Sequence, residues 1–232
     1  MHTPIFDSNY LLAGLPQEEQ AKLSAALKLI QLKSGTLLQE DGVEIEQVYF
    51  PISGMVSVLI AAADGNMVET ALVGREGVVN SFVGIGLRKG FNRSVMQVSG
   101  SALQIDAGPF SAIIQNSPEL RTRVDRYHAF LLVQAQQTAA CNLHHPLEAR
   151  LCRWLSQVHD RVEKENFDLT QDFVAQMLGV SRPTVNLALG QLKSANLIST
   201  HRGSIEVLDH EGLVDSACEC YGLLKQKMIE IL

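Results

Sequence analysis

Long hydrophobic runs are scarce in this 232-residue chain. The longest largely apolar run, residues 55–63, is too short to cross a bilayer and alternates like a strand. Residues 1–10 lack a basic region followed by a long apolar stretch, so they do not resemble a signal peptide. We therefore expect a cytoplasmic protein without a membrane partner.

Cysteine is also sparse, with four residues at Cys141, Cys152, Cys218 and Cys220. A domain of this size does not need disulfides, and a cytoplasmic location disfavours them. An iron–sulfur cluster would need several closely spaced cysteines, usually near the amino terminus. Cys141 and Cys152 are either redox-sensitive thiols or small apolar residues in a helix interface. We favour the second interpretation, because no base that would lower their pKa is evident nearby.

A complete ligand set for a metal is not visible in the sequence. His128, His144 and His145 lie on or beside a long predicted helix, and Cys141 precedes His145 by one helical turn. A zinc or haem site there is one interpretation, and solvated or capping histidines are the other, which we favour. We assign no metal site. We also assign no catalytic residues and no enzymatic activity, because nucleophile–base pairs and paired carboxylates in a motif are missing.

Positive charge is in deficit overall, with 19 basic and 25 acidic residues and a net charge of −6. This balance argues against an indiscriminate nucleic-acid binder. Residues 173–205, however, contain no Asp or Glu, and they carry Arg182, Lys193, His201 and Arg202. Such a positive island indicates a directed anionic partner, although a neutral packed segment is the alternative.

The chain changes character twice. Residues 1–30 are predicted to be helical, and residues 33–105 consist of short apolar runs separated by turn pairs such as Asp64-Gly65. Alternating apolar residues on both sides of that pair predict a hairpin. Many short strands at this spacing favour a jelly-roll or barrel.

A helical pattern follows from Pro118, without Gly or Pro until Pro146. Apolar and small residues recur at heptad spacing, which predicts a dimerisation helix over about residues 117–143. A helix packed on its own barrel is the alternative. The residues assigned to the dimer seam are Val124, Tyr127, Leu131, Gln134 and Thr138. The predicted domains are 1–143 and 144–232.

Residues 169–209 have the pattern of a helix-turn-helix followed by a wing. Thr170 and Ser181 are suited to cap two helices, and Gly179 can adopt the left-handed conformation that ends the first. Pro183 falls in the first turn of the second helix, where its missing N–H costs little. Two short strands with a basic tip at residues 201–204 would form the wing. The second helix would then be available for the major groove of DNA.

The outward face of the second helix carries side chains that can read base edges. Arginine and asparagine form bidentate contacts with guanine and adenine. We predict that Arg182, Thr184 and Asn186 read or position on bases. The predicted phosphate contacts are Thr170, Gln171, Ser181, Lys193 and Arg202.

Four segments carry a family resemblance: LGVSRPTV, HHPLEARLCRWL, VGREGVV and ACECYG. With them the chain resembles the Crp/Fnr family of bacterial transcription regulators over nearly its whole length. The resemblance implies an α+β architecture: an amino-terminal β-roll sensor domain with a cyclic-nucleotide-binding-like fold, a long dimerisation helix and a carboxy-terminal winged helix-turn-helix. It also implies a homodimer on a palindromic operator in double-stranded DNA, controlled by a small-molecule effector, with RNA polymerase as a further partner.

The sequence departs from the family pattern in the recognition helix. Family members that bind cyclic nucleotides carry Arg, then Glu, and a second Arg one turn later. Here Arg182 is kept, but Pro183 and Leu187 stand at the other two positions. We therefore expect a different operator half-site, in which Asn186 reads a base.

The predicted effector site resembles a cyclic-nucleotide pocket in part. Gly74, Glu76 and Gly77 resemble its glycine–glutamate turn, and Arg93-Ser94 resembles its phosphate-binding pair. The order of residues in the turn differs from the binding pattern. One alternative is an ion pair between Arg93 and Glu76 inside an empty or remodelled roll, and another is a different effector. We favour these alternatives over a cyclic nucleotide. The rival function is a cyclic-nucleotide-binding module or scaffold whose winged helix contacts proteins.

Overall fold

The computed structural model describes residues 4–62, 65 and 67–232. By its internal contacts the chain divides into two compact units. The first contains the residues up to Val58, Leu72–Leu131 and Ile231–Leu232, and the second contains Leu59–Ala71 and Leu132–Glu230. Asp64, which the sequence places in a hairpin turn, lies outside the described residues.

A 3-10 helix, Pro4–Ser8, and helix α1, Gln17–Ser24, open the fold. The prediction of helix through residue 30 is wrong at its end, because Lys28–Leu32 forms strand β1. Strand β1 pairs antiparallel with β7, Gly100–Asp106, through partners such as Ile30 and Ala102. Tertiary pairing here overrides a helical spacing that is only two turns long.

Two antiparallel sheets form the β-region. One has the order β1-β7-β3, where β3 is Gln47–Pro51, and the other has the order β2-β6-β4-β5. The strands of the second sheet are β2 (Leu37–Gln39), β4 (Met55–Ala61), β5 (Met67–Val73) and β6 (Arg93–Val98). A 3-10 helix, Ser81–Ile85, lies between β5 and β6. The core contains the buried residues Val48, Phe50, Met55, Val56, Met96 and Ile105.

Helices α2, Ala107–Gln115, and α3, Pro118–His144, follow the strands. Helix α3 has 27 residues and matches the predicted 117–143 closely. The division of the chain between the two compact units falls within α3, between Leu131 and Leu132. That point is earlier in the chain than the boundary expected at residue 143, which stays a prediction.

The carboxy-terminal elements begin with α4, Leu147–Val162, whose apolar face is fully buried. A three-stranded sheet of order β8-β10-β9 accompanies the helices. Its strands are β8 (Asn166–Phe167), β9 (Ile198–His201) and β10 (Ser204–Val207). The remaining helices are α5 (Gln171–Leu178), α6 (Arg182–Ser194), α7 (His210–Ser216) and α8 (Cys220–Ile231).

The predicted fold class is confirmed: an amino-terminal β-sheet domain, a long helix and a carboxy-terminal helix-turn-helix domain. None of the helices in the described part of the chain is long and apolar enough to span a membrane.

Candidate nucleic-acid interface

Two side-chain caps set the geometry of α5 and α6. The hydroxyl oxygen of Thr170 accepts a hydrogen bond from the backbone N–H of Phe173 at 3.2 Å. The hydroxyl oxygen of Ser181 likewise accepts from the backbone N–H of Thr184 at 3.4 Å. Gly179 ends α5 with φ +65°, a left-handed conformation that costs glycine little. The turn between the two helices is therefore fixed by residues that the sequence singled out.

Helix α6 has one buried face and one exposed face. Val185, Ala188, Leu189 and Leu192 are buried at 4% exposure or less. The opposite face is exposed and carries Arg182, Thr184, Asn186, Leu187, Gln191 and Lys193. Because the apolar face holds the helix on the domain, the polar face is free to meet a duplex.

Arg182 lies against a carboxylate in this structure. Its Nη1 atom is 3.2 Å from Oδ2 of Asp172, and the two side chains are 58% and 66% exposed. Asp172 directly precedes the stretch without acidic residues, so the sequence pattern did not reveal this pairing. An exposed pair of this kind contributes only about 0.2–1 kcal/mol. A phosphate or a base edge can therefore displace the carboxylate at low cost.

The wing is a hairpin of β9 and β10. Ser204 pairs with His201, so Arg202 and Gly203 form a two-residue tip. Gly203 has φ +80°, which glycine adopts without strain. Arg202 is exposed at the tip, whereas Nε2 of His201 lies 3.7 Å from a Glu206 carboxylate oxygen. Arg202 is thus the stronger candidate for a phosphate contact.

All of the predicted DNA-contacting residues belong to the second compact unit, within its Leu132–Glu230 segment. Gln171 is partly buried, and the others are exposed: Thr170, Ser181, Arg182, Thr184, Asn186, Lys193 and Arg202. Their roles toward DNA stay predictions.

The described residues Gly65, Met67 and Val68 of the β4–β5 hairpin lie beside the helix-turn-helix and belong to the same compact unit. A cavity of about 820 Å³ lies between hairpin residues Gly65, Met67 and Val68 and helix-turn-helix residues that include Arg182. A Cβ atom built on Gly179 would lie 3.5 Å from a methyl group of Val68. The hairpin is therefore a neighbour of the turn between α5 and α6, which the sequence did not predict.

The candidate effector residues lie around the 74–77 turn and the start of β6. Gly74, Glu76, Gly77 and Ser94 are buried, and Arg93 is partly exposed. The ion pair that the structure gives Arg93 is with Glu40, whose Oε2 lies 3.6 Å from its Nε, rather than with Glu76. The alternative of an Arg93–Glu76 pair is therefore corrected.

Tyr127 of α3 packs directly on Gly77. A Cβ atom at Gly77 would collide with the Tyr127 hydroxyl and ring, so this position requires glycine. The close approach fills the space beside the turn that resembles a phosphate-binding loop. The glycine thus has a packing reason that is independent of any ligand.

The predicted dimer seam stays a prediction, and the burial of its residues within one chain bears on it. Val124, Tyr127 and Gln134 are buried within the single chain at 3% exposure or less, and Leu131 and Thr138 are partly buried. For Val124, Tyr127 and Gln134 this burial favours the alternative, a helix packed on its own barrel, over a seam. A different stripe of α3 is exposed and has the three- and four-residue spacing of the predicted seam. It consists of Ala129, Leu132, Gln136, Ala139 and Leu143.

The cysteines and histidines have distinct environments. Cys152 is buried, and burial raises its pKa to about 11, as befits a small apolar residue. Cys141 differs, because a hydrogen bond with Cys218 and the charge of Arg153 hold the pKa of Cys141 well below its ordinary range.

Nε2 of His128 lies 2.8 Å from the Ser81 hydroxyl, and the His128 ring stacks on Phe82.

Comparison with known proteins bears directly on the helix-turn-helix. Residues 149–216 match the family model of the Crp-like helix-turn-helix domain. The CRP-like cAMP-activated global transcriptional regulator of Mycobacterium tuberculosis is 24% identical over 216 residues, which are 89% of this chain and 96% of that protein.

Solved structures share the fold. A transcriptional regulator of the Crp/Fnr family from Eubacterium rectale superposes with a TM-score of 0.69 at 16% identity, covering 90% of this chain and 98% of the other. FixK2 from Bradyrhizobium japonicum gives a TM-score of 0.67 at 14% identity, covering 83% and 98%. Fold and helix-turn-helix together define a DNA-binding transcription regulator. The matched helix-turn-helix domain, the relative and the shared fold support the resemblance to Crp/Fnr regulators that the sequence carries.

Proposed function

We propose that the chain acts as a homodimer on a palindromic operator, with α6 of each protomer in the major groove. The observation that carries this proposal is the exposed polar face of α6, held by two side-chain caps and a buried apolar face. Residues 173–205 contain no acidic residue, so α6 itself adds no repulsion toward phosphate, and Asp172, which pairs with Arg182, is a carboxylate beside this face.

Roles within the interface follow from position and chemistry. Arg182, Thr184 and Asn186 project from the first turns of α6, where side chains of a recognition helix reach base edges. Thr170, Gln171 and Ser181 lie at helix starts, where backbone N–H groups favour phosphate. Lys193 and Arg202 supply further positive charge toward the DNA backbone.

Dimerisation is proposed through the exposed stripe of α3. Leu132 and Leu143 are 59% and 78% exposed, and both are large apolar side chains. Ala139 and Gln136 lie between them at spacings of three and four residues, which is the pattern of a two-stranded seam. A two-fold axis along this stripe would pair each residue with its symmetry mate or a near neighbour.

Control by an effector in the β-roll is the third part of the proposal. Arg93, Ser94 and the 74–77 turn are the candidate contacts, and a bound anion would compete with Glu40 for Arg93. The named activator of the Mycobacterium tuberculosis relative is cAMP, which makes cyclic nucleotides the first ligands to test. A ligand present at about one hundred times its dissociation constant would stabilise the fold by about 2.7 kcal/mol. A thermal melt with cAMP and with cGMP measures this directly.

Selection of bound fragments from the source genome tests the DNA-binding proposal. The selected fragments should share an inverted repeat whose half-sites are about one helical turn apart. Affinity for that repeat should fall steeply with salt, because bound phosphates release counterions. Failure to enrich any sequence, together with a melt that responds to cyclic nucleotide, would favour the rival function of a nucleotide-binding scaffold.

A further inference from the structure

Four metal-ligating side chains meet where α3 ends. The Sγ atoms of Cys141, Cys218 and Cys220 and a ring nitrogen of His145 all lie within 4.8 Å of one another. All four residues belong to the second compact unit. The sequence does not link the two halves of this set, because 72 residues, Cys152 among them, separate His145 from Cys218.

Local structure explains how each half is presented. Cys141 and His145 are one helical turn apart, and the backbone N–H of His145 bonds to the carbonyl of Cys141 at 3.1 Å. Their side chains therefore project from the same face of the helix end. Cys218 lies between α7 and α8, and Cys220, two residues later, is the first residue of α8. The N–H of Cys218 bonds to the carbonyl of Ala149 in α4. This contact brings the Cys-Glu-Cys segment against the α3–α4 junction.

The donor atoms are spaced as ligands of a single ion. Sγ of Cys141 lies 3.4 Å from Sγ of Cys218, and Sγ of Cys220 lies 3.5 Å from Nδ1 of His145. Tetrahedral zinc with bonds of about 2.3 Å to sulfur and about 2.0–2.1 Å to nitrogen places its ligands about 3.5–3.8 Å apart. The donors are too close together to enclose a cluster of several irons.

Neighbouring residues orient the donors as they do around known metal sites. Nε2 of His145 lies 3.1 Å from a Glu219 carboxylate oxygen, which leaves Nδ1 directed at Cys220. A carboxylate on the far nitrogen is the usual partner of a metal-bound histidine. The side-chain amide of Gln137 donates to Sγ of Cys220 at 3.0 Å and so helps to hold this sulfur in place.

We propose that Cys141, His145, Cys218 and Cys220 form a closed Cys3His site for a zinc ion. Three thiolates and an imidazole close enough together to bind one ion are a structural zinc donor set. The three cysteines are buried, at 0%, 7% and 1% exposure, so water is kept from the sulfur atoms. The ion would link the end of α3 to the start of α8 and stabilise the second compact unit.

A disulfide between Cys141 and Cys218 is the competing use of these thiols. A disulfide would use only two of the four donors. It would not explain why Cys220 and His145, which Glu219 orients, lie beside the same two sulfurs. The metal accounts for all four donors at once. The proposal does not depend on the identity of the operator or of the effector.

Metal content and cobalt substitution test the site in the full-length protein. When the protein is purified under reducing conditions, inductively coupled plasma mass spectrometry should find one zinc ion per protomer. After chelation, Co²⁺ should bind one to one and develop the visible absorption and sulfur charge-transfer bands of tetrahedral thiolate coordination. His145→Asn and Cys220→Ser should abolish the charge-transfer intensity or reduce it sharply.

Matched variants separate ligands from merely buried residues. Cys152→Ser alters a cysteine that is equally buried but lies outside the cluster, and His144→Asn alters the adjacent, exposed histidine. Both should keep full zinc content. Glu219→Ala removes an exposed side chain and should weaken cobalt affinity by about tenfold or more. Because Glu219 is on the surface, this variant remains informative if Cys220→Ser does not fold.

Three results would overturn the proposal. One is a reduced protein that carries no stoichiometric zinc and shows no thiolate–cobalt bands. Another is unchanged cobalt spectra in both His145→Asn and Cys220→Ser. The third is rapid formation of a Cys141–Cys218 disulfide in protein that has been incubated with excess zinc.

Discussion

The indole N–H of Trp154 donates a hydrogen bond to Oε1 of Glu69 at 2.7 Å, and both residues are buried. Trp154 lies in α4, and Glu69 lies in β5 of the hairpin segment that shares its compact unit. A carboxylate acceptor makes this a strong hydrogen bond, and burial makes its loss costly. It anchors the hairpin whose tip adjoins the helix-turn-helix.

Replacement of Glu69 tests this anchor, and Trp154 is the only tryptophan in the chain, so its fluorescence reports on the contact. We expect Glu69→Leu to destabilise the second compact unit by about 1.5–3 kcal/mol, because the buried indole N–H loses its acceptor. Urea unfolding followed by tryptophan emission measures the change. Glu69→Gln, which keeps an acceptor oxygen, should lose much less. Equal losses in the two variants would contradict the role of the hydrogen bond.

Asp172 is predicted to restrain DNA binding through its pairing with Arg182. Asp172→Asn removes a carboxylate that competes with DNA for the guanidinium and adds one positive unit to the surface charge. Affinity for operator and for random DNA should both rise a few-fold in fluorescence anisotropy, with little change in thermal stability. Asp215→Asn on α7, also exposed, is the charge-matched control and should have a smaller effect. Identical gains from both substitutions would mean that only net charge matters.

The exposed stripe of α3 is predicted to carry the dimer. Leu132→Lys and Leu143→Lys each place a charge where an apolar contact is expected, so the combined variant should sediment as a monomer. Leu87→Lys, which alters an exposed leucine of the β-roll, should remain dimeric. Analytical ultracentrifugation distinguishes these outcomes. A double variant that is still dimeric at micromolar concentration would place the interface elsewhere.

His128 is predicted to make the first compact unit sensitive to acid. Burial lowers the pKa of His128, and the nearby Asp125 only partly opposes this effect. The unfolded chain, with a histidine pKa of about 6.5, therefore takes up a proton before the folded chain does. The contribution of His128 to stability is complete above about pH 6.5 and is lost as the pH falls toward the lower, folded-state pKa.

Thermal melts of the wild type and of His128→Gln from about pH 8 to about pH 5.5 test this expectation. The wild type should lose more stability on acidification than the variant does. His210, whose pKa is also lowered by burial, remains in both proteins and cancels in the comparison. Parallel curves would show that His128 titrates alike in the folded and unfolded chain.

The helix-turn-helix could be predicted almost residue by residue, because its determinants are local. Thr170, Gly179 and Ser181 act within one or two helical turns of themselves, so their residue types suffice to place both helices. Helical periodicity also located α3 to within a residue. In each case the interaction that forms the element lies within the element.

The same patterns could not predict what covers each face of a helix or which residues distant in sequence make contact. Periodicity shows that α3 has an apolar stripe, but it cannot tell whether the chain itself or a partner covers that stripe. The structure covers Val124 and Tyr127 with the chain itself. The pairing of Trp154 with Glu69 and that of Cys141 with Cys218 span 85 and 77 residues, and no local signal links them.

An operator-binding titration of Arg182→Ala and Arg202→Ala over a range of salt concentrations tests the central claim most directly. Arg182→Ala should lose about 1–3 kcal/mol of specific binding and discriminate less well at one operator position. Arg202→Ala should weaken specific and random DNA alike and should reduce the salt slope by about one per protomer. Unchanged operator affinity in Arg182→Ala would contradict the assignment of α6 as the element that reads DNA.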